Sequence, residues 1–176
     1  MTLTLVRVDD RLIHGQVVEG WLRVIQAQRI LVVSDRAAKD PLQSGMMRLA
    51  VPENIALEVV SVDRALERVK AAAKSRERVL LLIAEISELD RLLAAGASIA
   101  AVNLGGVHAG PGRSPAAARG RPSLSDGAAA RLCFTDEEKR AVAGWIARGV
   151  SVETRALPTD ERVGFDALFP AAPKAG

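Results

Sequence analysis

Val79-Leu80-Leu81-Leu82-Ile83 is the longest unbroken run of large aliphatic residues in the chain, and its reading decides the fold. Five consecutive branched or aliphatic residues without alternation suit a strand covered on both faces, not a half-exposed one. Similar short runs lie on either side of it: Leu3-Thr4-Leu5-Val6-Arg7-Val8, Ile30-Leu31-Val32-Val33, Leu57-Glu58-Val59-Val60 and Ile99-Ala100-Ala101-Val102. They recur every 20 to 28 residues or so, leaving room for one helix per crossover. The pattern predicts an α/β protein with an open, mostly parallel central sheet and helices on both faces. A last run, Val150 to Leu157, alternates apolar and polar residues as a strand nearer a sheet edge does, and an antiparallel edge strand is expected near the C-terminus.

The segments between these runs carry helix punctuation. Asp40-Pro41 reads as an N-cap and first-turn proline, with Leu42, Met46, Leu49 and Ala50 sharing one face. Ala65, Leu66, Val69, Ala72 and Ala73 form a second helical stripe. Ser87 with Asp90 resembles a capping box ahead of Leu89, Leu92 and Leu93, with Gly96 ending the helix, and Thr135 with Glu138 is a better one ahead of Trp145 and Ile146. Trp21 and Trp145 fall at core spacing. Gly105 to Ala130 breaks the rhythm, being rich in Gly, Pro, Ala, Ser and Arg, and reads as a long loop, mobile around Ala116 to Ala130. Residues 1–170 are expected to form one domain with its long loop around 106–130, and 171–176 a tail.

Composition narrows the function. The 176 residues are 49% hydrophobic and 26% charged, a globular balance. Aromatics are only 3%, a poor supply of stacking rings for a reader of single-stranded nucleic acid, so no nucleic-acid partner is expected. The net charge of +3 is spread without like-charge blocks. The one cysteine, Cys133, excludes an internal disulfide or Cys-cluster metal site and reads as a buried small hydrophobe. With no signal-peptide pattern and no apolar run of spanning length, the chain is expected to be cytoplasmic.

Chemistry concentrates in Asp9-Asp10-Arg11-Leu12-Ile13-His14-Gly15-Gln16-Val17, where the first strand ends. Ligands of open α/β sheets bind outside the carboxyl ends of strands. His14 stands just before a helix expected through Val17, Val18, Trp21, Leu22 and Ile25, whose amide end favours an anion. Gly15 lets the backbone approach closely, Arg11 suits phosphate oxygens, and Asp9 or Asp10 would hold the imidazole in one tautomer. These are the parts of a phosphohistidine site, since a neutral imidazole nitrogen is a competent nucleophile. The first turn lacks a G-x-G-x-x-G fingerprint, which argues against a Rossmann-type nucleotide binder.

Val8 to Val17 followed by Trp21 resembles the active-site signature of the enzyme IIB component of the mannose/fructose/sorbose class of the bacterial phosphoenolpyruvate-dependent sugar phosphotransferase system. The resemblance recurs at Val32-Val33-Ser34-Asp35, Val59-Val60-Ser61-Val62, Asn103-Leu104-Gly105-Gly106 and Leu157-Pro158-Thr159-Asp160. It implies that His14 accepts a phosphoryl group, on Nδ1, from a IIA protein and passes it to a sugar presented by membrane components IIC and IID. Such a protein would be peripheral to the inner membrane through those partners. Arg11 matches a phosphoryl-binding arginine and Asp10 an acidic position; Gly15 and Gln16 join the phosphate-binding or orienting set, with Asp9, Ser87 and Arg113 as further candidates. No metal or organic cofactor is implied.

Two stretches depart from the family pattern. Ile83-Ala84-Glu85-Ile86-Ser87 lacks an Asn-Pro or Thr-Pro turn, and Glu85 facing a phosphoryl group would repel it. Pro111-Gly112-Arg113-Ser114 matches a Pro-Gly-Lys-Thr-like turn, but the segment after it is longer than usual by about ten residues. Those departures motivate an alternative, a regulatory phosphorelay that uses His14 to control a protein partner. His108, the other histidine, sits in a Gly-rich loop that could approach the site, but with no Arg-x-x-His context and no helix start after it, it is not read as a phosphoacceptor or as catalytic.

Overall fold

The computed structural model describes residues 3–116 and 132–169. Seven strands form one sheet in the order β3-β2-β4-β1-β5-β8-β9, with β1 Leu3–Asp9, β2 Arg29–Val33, β3 Ala56–Val60, β4 Val79–Ile83, β5 Ala101–Gly106, β8 Ser151–Thr154 and β9 Val163–Gly164. Every pairing is parallel except β8 with β9. The expected antiparallel edge is therefore the two-residue β9, which the sequence reading did not single out, while the Val150–Leu157 run supplies the parallel strand β8. All five residues of β4 are buried between β2 and β1, as its unbroken aliphatic run requires.

Helices cover both faces. One face carries α3 (Val62–Lys74), α4 (Ile86–Ala94), α5 (Asp136–Ala147) and α6 (Phe165–Leu168), whose Val69, Leu89, Leu92 and Trp145 pack on Val8, Leu81, Ile83 and Leu104. The other carries a π-helical turn, Gln16–Trp21, continuing into α1 (Leu22–Ile25), and then α2 (Pro41–Ala50), over Ile30, Val32, Leu80 and Leu82. The core is aliphatic, with one aromatic cluster: Phe134 meets the rings of Phe165 and Phe169 edge-on at 5.6 and 5.4 Å. Cys133 and both tryptophans are buried, as expected.

Local expectations fared unevenly. Asp40 caps α2 by accepting from the Gln43 amide at 2.9 Å, and Thr135 with Glu138 forms the capping box of α5. The box of α4 is instead Glu85 with Glu88, two residues earlier than Ser87 with Asp90. Asp90 accepts from Trp145 Nε1 at 2.7 Å, a long-range use that local spacing does not reveal. The stretch from Gly105 is not all loop: Gly105 and Gly106 end β5, and β6 (Ser114–Pro115) pairs antiparallel with β7 (Cys133–Phe134). Residues 117–131 and the 171–176 tail lie outside the described residues.

The stripe on α2 forms as a shared face, but not on the core. Leu42, Met46 and Leu49 do share a face, but it points outward, at 74%, 63% and 88% exposure, while Met47 is buried at 6%. Periodicity reports that a helix has an apolar face; which face meets the sheet is set by its anchors. Here Arg48 donates to the carbonyls of Val51, Pro52 and Ile55, holding Met47 inward. Met47→Ala should therefore cost about 2–5 kcal/mol in urea unfolding, whereas Leu49→Ser should change stability by less than about 0.5 kcal/mol.

Candidate active site

The topology reverses between β4 and β1: the chain leaves β1 toward the α1 face and leaves β4 toward the α4 face. A crevice opens at such a switch point beyond the carboxyl ends of the strands, and the 9–17 loop occupies it. The Leu12 amide donates to the Asp9 carbonyl at 3.0 Å, and Leu12 takes a left-handed φ of 55° with its side chain buried. For a branched side chain this conformation is costly and persists because the core pins it. The turn brings the His14 ring back over the end of β1.

There Asp9, fully buried, organises the group. Its Oδ2 lies 2.9 Å from His14 Nε2 and accepts from Arg7 Nη2 at 2.8 Å; its Oδ1 accepts from the Arg11 amide at 3.2 Å. A carboxylate only accepts, so Nε2 carries the imidazole proton and Nδ1 keeps a lone pair. Of the two acidic residues offered for this role, Asp9 fills it. Burial alone would raise the Asp9 pKa, but the His14 hydrogen bond and the Arg7 charge outweigh it and hold Asp9 at about 2.

Arg7 and Asn103 escaped the sequence reading. Arg7 is fully buried, donates through Nη1 to Asn103 Oδ1 and to the Arg155 carbonyl at 2.9 Å, and lies 5.3 Å from the Trp21 ring centroid. Burial lowers its pKa, opposed by Asp9. A Cβ at Gly105 would come within 1.8 Å of Arg7 Cζ, and one at Gly106 within 2.3 Å of Asp9 Oδ1, so both glycines are room for this pair. The available signal was a lone arginine inside an apolar strand, two residues before an aspartate and facing a Gly-Gly strand end.

The remaining candidates separate. Arg11 is 43% exposed and donates to Gln16 Oε1 at 2.7 Å, so these two stand together beside His14. A Cβ at Gly15 would meet nothing within 4 Å, which leaves that side of the loop open and answers to no packing contact. Asp10 turns to the other side, where Oδ1 lies 2.6 Å from His108 Nδ1. Arg113 approaches Asp10 at 3.7 Å and is held by Glu138 at 2.7 Å, in a turn where Gly112 takes φ 73°. Ser87 donates to Glu85 at 3.2 Å, and Glu85 itself is engaged in the α4 cap. A groove of about 610 Å³ opens elsewhere, on the sheet face lined by Ala101, Asn103, Ser151 and Glu153; His14 is not in its wall. The His14 side chain itself keeps 16% exposure, beside the exposed Arg11.

The low Asp9 pKa has a measurable consequence. A folded value near 2 against an ordinary 3.8 makes its contribution complete above about pH 4 and lost as pH falls through about 2. Asp9→Asn, which strands the Arg7 charge, should cost about 3–5 kcal/mol near neutral pH. Urea unfolding should show that deficit shrinking between pH 4 and pH 2.

The fold agrees with known proteins. The chain is similar to the IIBSor domain of the sorbose permease from Klebsiella pneumoniae, with a TM-score of 0.82, 27% identity, and coverage of 98% of this chain and 99% of that one. It is 30% identical to the fructose-specific EIIB component of Bacillus subtilis (strain 168), covering 94% of each chain. It is 29% identical to the mannose-specific EIIAB component of Escherichia coli (strain K12), over 93% of this chain and 47% of the relative, so it spans about half that protein's length. The family model described as "PTS system sorbose subfamily IIB component" matches residues 3–175. From the Asp9–His14 loop to the parallel sheet that carries it, the chain belongs to the sorbose subfamily of phosphotransferase-system IIB components.

Proposed function

We propose that this protein is a phosphohistidine carrier that accepts a phosphoryl group on His14 Nδ1 from a phosphohistidine of a IIA protein and delivers it to a sugar during transport by IIC and IID membrane components. The observation that carries the reading is the bond from Asp9 to His14 Nε2, which leaves Nδ1 as the nucleophile. In-line attack of Nδ1 on the donor's phosphorus forms the new N–P bond as the old one breaks, and the donor ring leaves with its electron pair. Nε2–H stays on Asp9 throughout, so the ring keeps one orientation in both directions of transfer. Arg11, exposed and tethered by Gln16, supplies positive charge to the phosphoryl oxygens. The related mannose protein is named EIIAB, which supports a IIA-type donor. The carrier works in the cytoplasm and meets the inner membrane through its partners. Glu85, the residue behind the regulatory alternative, is engaged with Glu88 and Ser87 at the start of α4.

Phosphoenolpyruvate, the general phosphotransferase proteins and a cognate IIA should label the wild type with acid-labile, base-stable phosphate, and His14→Ala should take none. Equal labelling of the two would move the acceptor elsewhere. Asp9→Asn, which no longer sets the tautomer, should label at least about tenfold more slowly.

A further inference from the structure

We propose that His108 is a second catalytic imidazole: the general base that removes the hydroxyl proton of the sugar as that hydroxyl takes the phosphoryl group from His14. The inference rests on the carrier reading above and assigns a further residue to its second half.

Asp9 and Asp10 are consecutive, and each holds one histidine by the opposite ring nitrogen. Asp9 binds Nε2 of His14 and leaves Nδ1; Asp10 binds Nδ1 of His108 at 2.6 Å and leaves Nε2. The acceptor-only carboxylate again assigns the proton, so Nε2 of His108 carries the lone pair of a base. The ring is held by Asp10, and the backbone that carries it is held at both its amide and its carbonyl. Asp10 Oδ2 accepts the His108 backbone N–H at 2.8 Å, and Arg113 Nη1 donates to the His108 carbonyl at 3.1 Å. Arg113 is in turn fixed by Glu138 at the cap of α5. Yet the side chain remains 47% exposed, accessible to a partner. Ordering an exposed side chain costs conformational entropy, and a ring contact made on a backbone that is itself tied at two points suggests a task.

Its place is at the same end of the sheet as His14, across the Asp9-Asp10 pair from it. The Asp10 amide donates to the Gly106 carbonyl at 2.9 Å, and the Gly106 backbone lies against the same Asp9 carboxylate that holds the His14 ring. His108 follows Gly106 by two residues, at the same end of β1 and β5.

The chemistry distinguishes the two half-reactions. Transfer from one imidazole to another requires no proton movement, because each ring gives or takes an electron pair at one nitrogen and keeps N–H at the other. Transfer to a hydroxyl does. The Nδ1–P bond of phospho-His14 breaks and its electron pair returns to Nδ1. The sugar oxygen forms the O–P bond, and its proton passes to Nε2 of His108. Asp10 stabilises the resulting imidazolium, which loses the proton to water after the sugar phosphate leaves.

His108→Asn tests this, since the Asn amide keeps a donor where Nδ1–H faced Asp10 but has no base. Phospho-IIA would load the protein with ³²P, which would then be chased with native-host membrane vesicles carrying IIC and IID and, separately, mannose, fructose, sorbose or N-acetylgalactosamine. Loading should stay within about threefold of wild type while transfer to sugar falls about 100-fold, the usual scale of general-base catalysis. Wild-type sugar transfer should slow in D₂O, and the residual transfer of the variant should not. Sugar transfer unchanged by the substitution overturns the proposal. So does equal loss in both half-reactions, in His108→Asn and in His108→Gln, which marks a role in loop structure. Failure of the loaded wild type to yield sugar phosphate with any of the sugars is a different result: it overturns the carrier reading, and this inference with it.

Discussion

A charged pair inside a central strand sets the conditions for the rest of the structure. Arg7 and Asp9 are both fully buried on β1, where an unpaired charge would be prohibitive and even a paired one gains little stability over a hydrophobic replacement. The surroundings compensate each member. Asn103 and the Arg155 carbonyl accept from Arg7, the Trp21 face lies alongside it, and Gly105 and Gly106 give up their side chains to make room. What this arrangement maintains is an ionised carboxylate at a fixed point beneath the His14 ring. An imidazole held in one orientation at the end of β1 is the outcome, and the buried pair is its foundation.

The sheet order gives the pair its leverage. Because β1 sits between β4 and β5 with helices departing to opposite faces, its end is a crevice that neither neighbouring helix covers. The β5 end and the 107–113 turn then form the second wall, joined to the first by Asp10 and anchored on α5 through Arg113 and Glu138. Glu138 serves both as the reciprocal partner in the Thr135 capping box and as the anchor of Arg113, so the start of a helix on one face holds a loop beside the His14 turn. The site is built from loops on a rigid sheet, an arrangement in keeping with the carrier role proposed for His14.

Much of this was legible in the chain. The aliphatic run of β4 announced a doubly covered strand, Asp40-Pro41 and Thr135-x-x-Glu138 announced helix starts, and Asp9 to Val17 announced the chemistry. Where the reading failed, two local patterns competed and distance decided. Ser87 with Asp90 looked like a cap, but Glu85 with Glu88 made it, leaving Asp90 for Trp145. The apolar stripe of α2 formed as read, but it faces solvent, and Met47, outside the stripe, is the residue packed on the sheet.

The sequence by itself determined the α/β class, the parallel order of alternation and the loop that bears His14, because those depend on periodicity and on residues adjacent in the chain. Only the tertiary structure decided which aspartate serves which histidine, and that Arg7, Asn103 and Gly105 belong to the site. Asp9 and Asp10 are chemically identical and one residue apart, so composition cannot assign them. The assignment comes from the pairing of β1 with β5, which places Gly106 against Asp9 and brings His108, nearly a hundred residues away in the chain, within reach of Asp10.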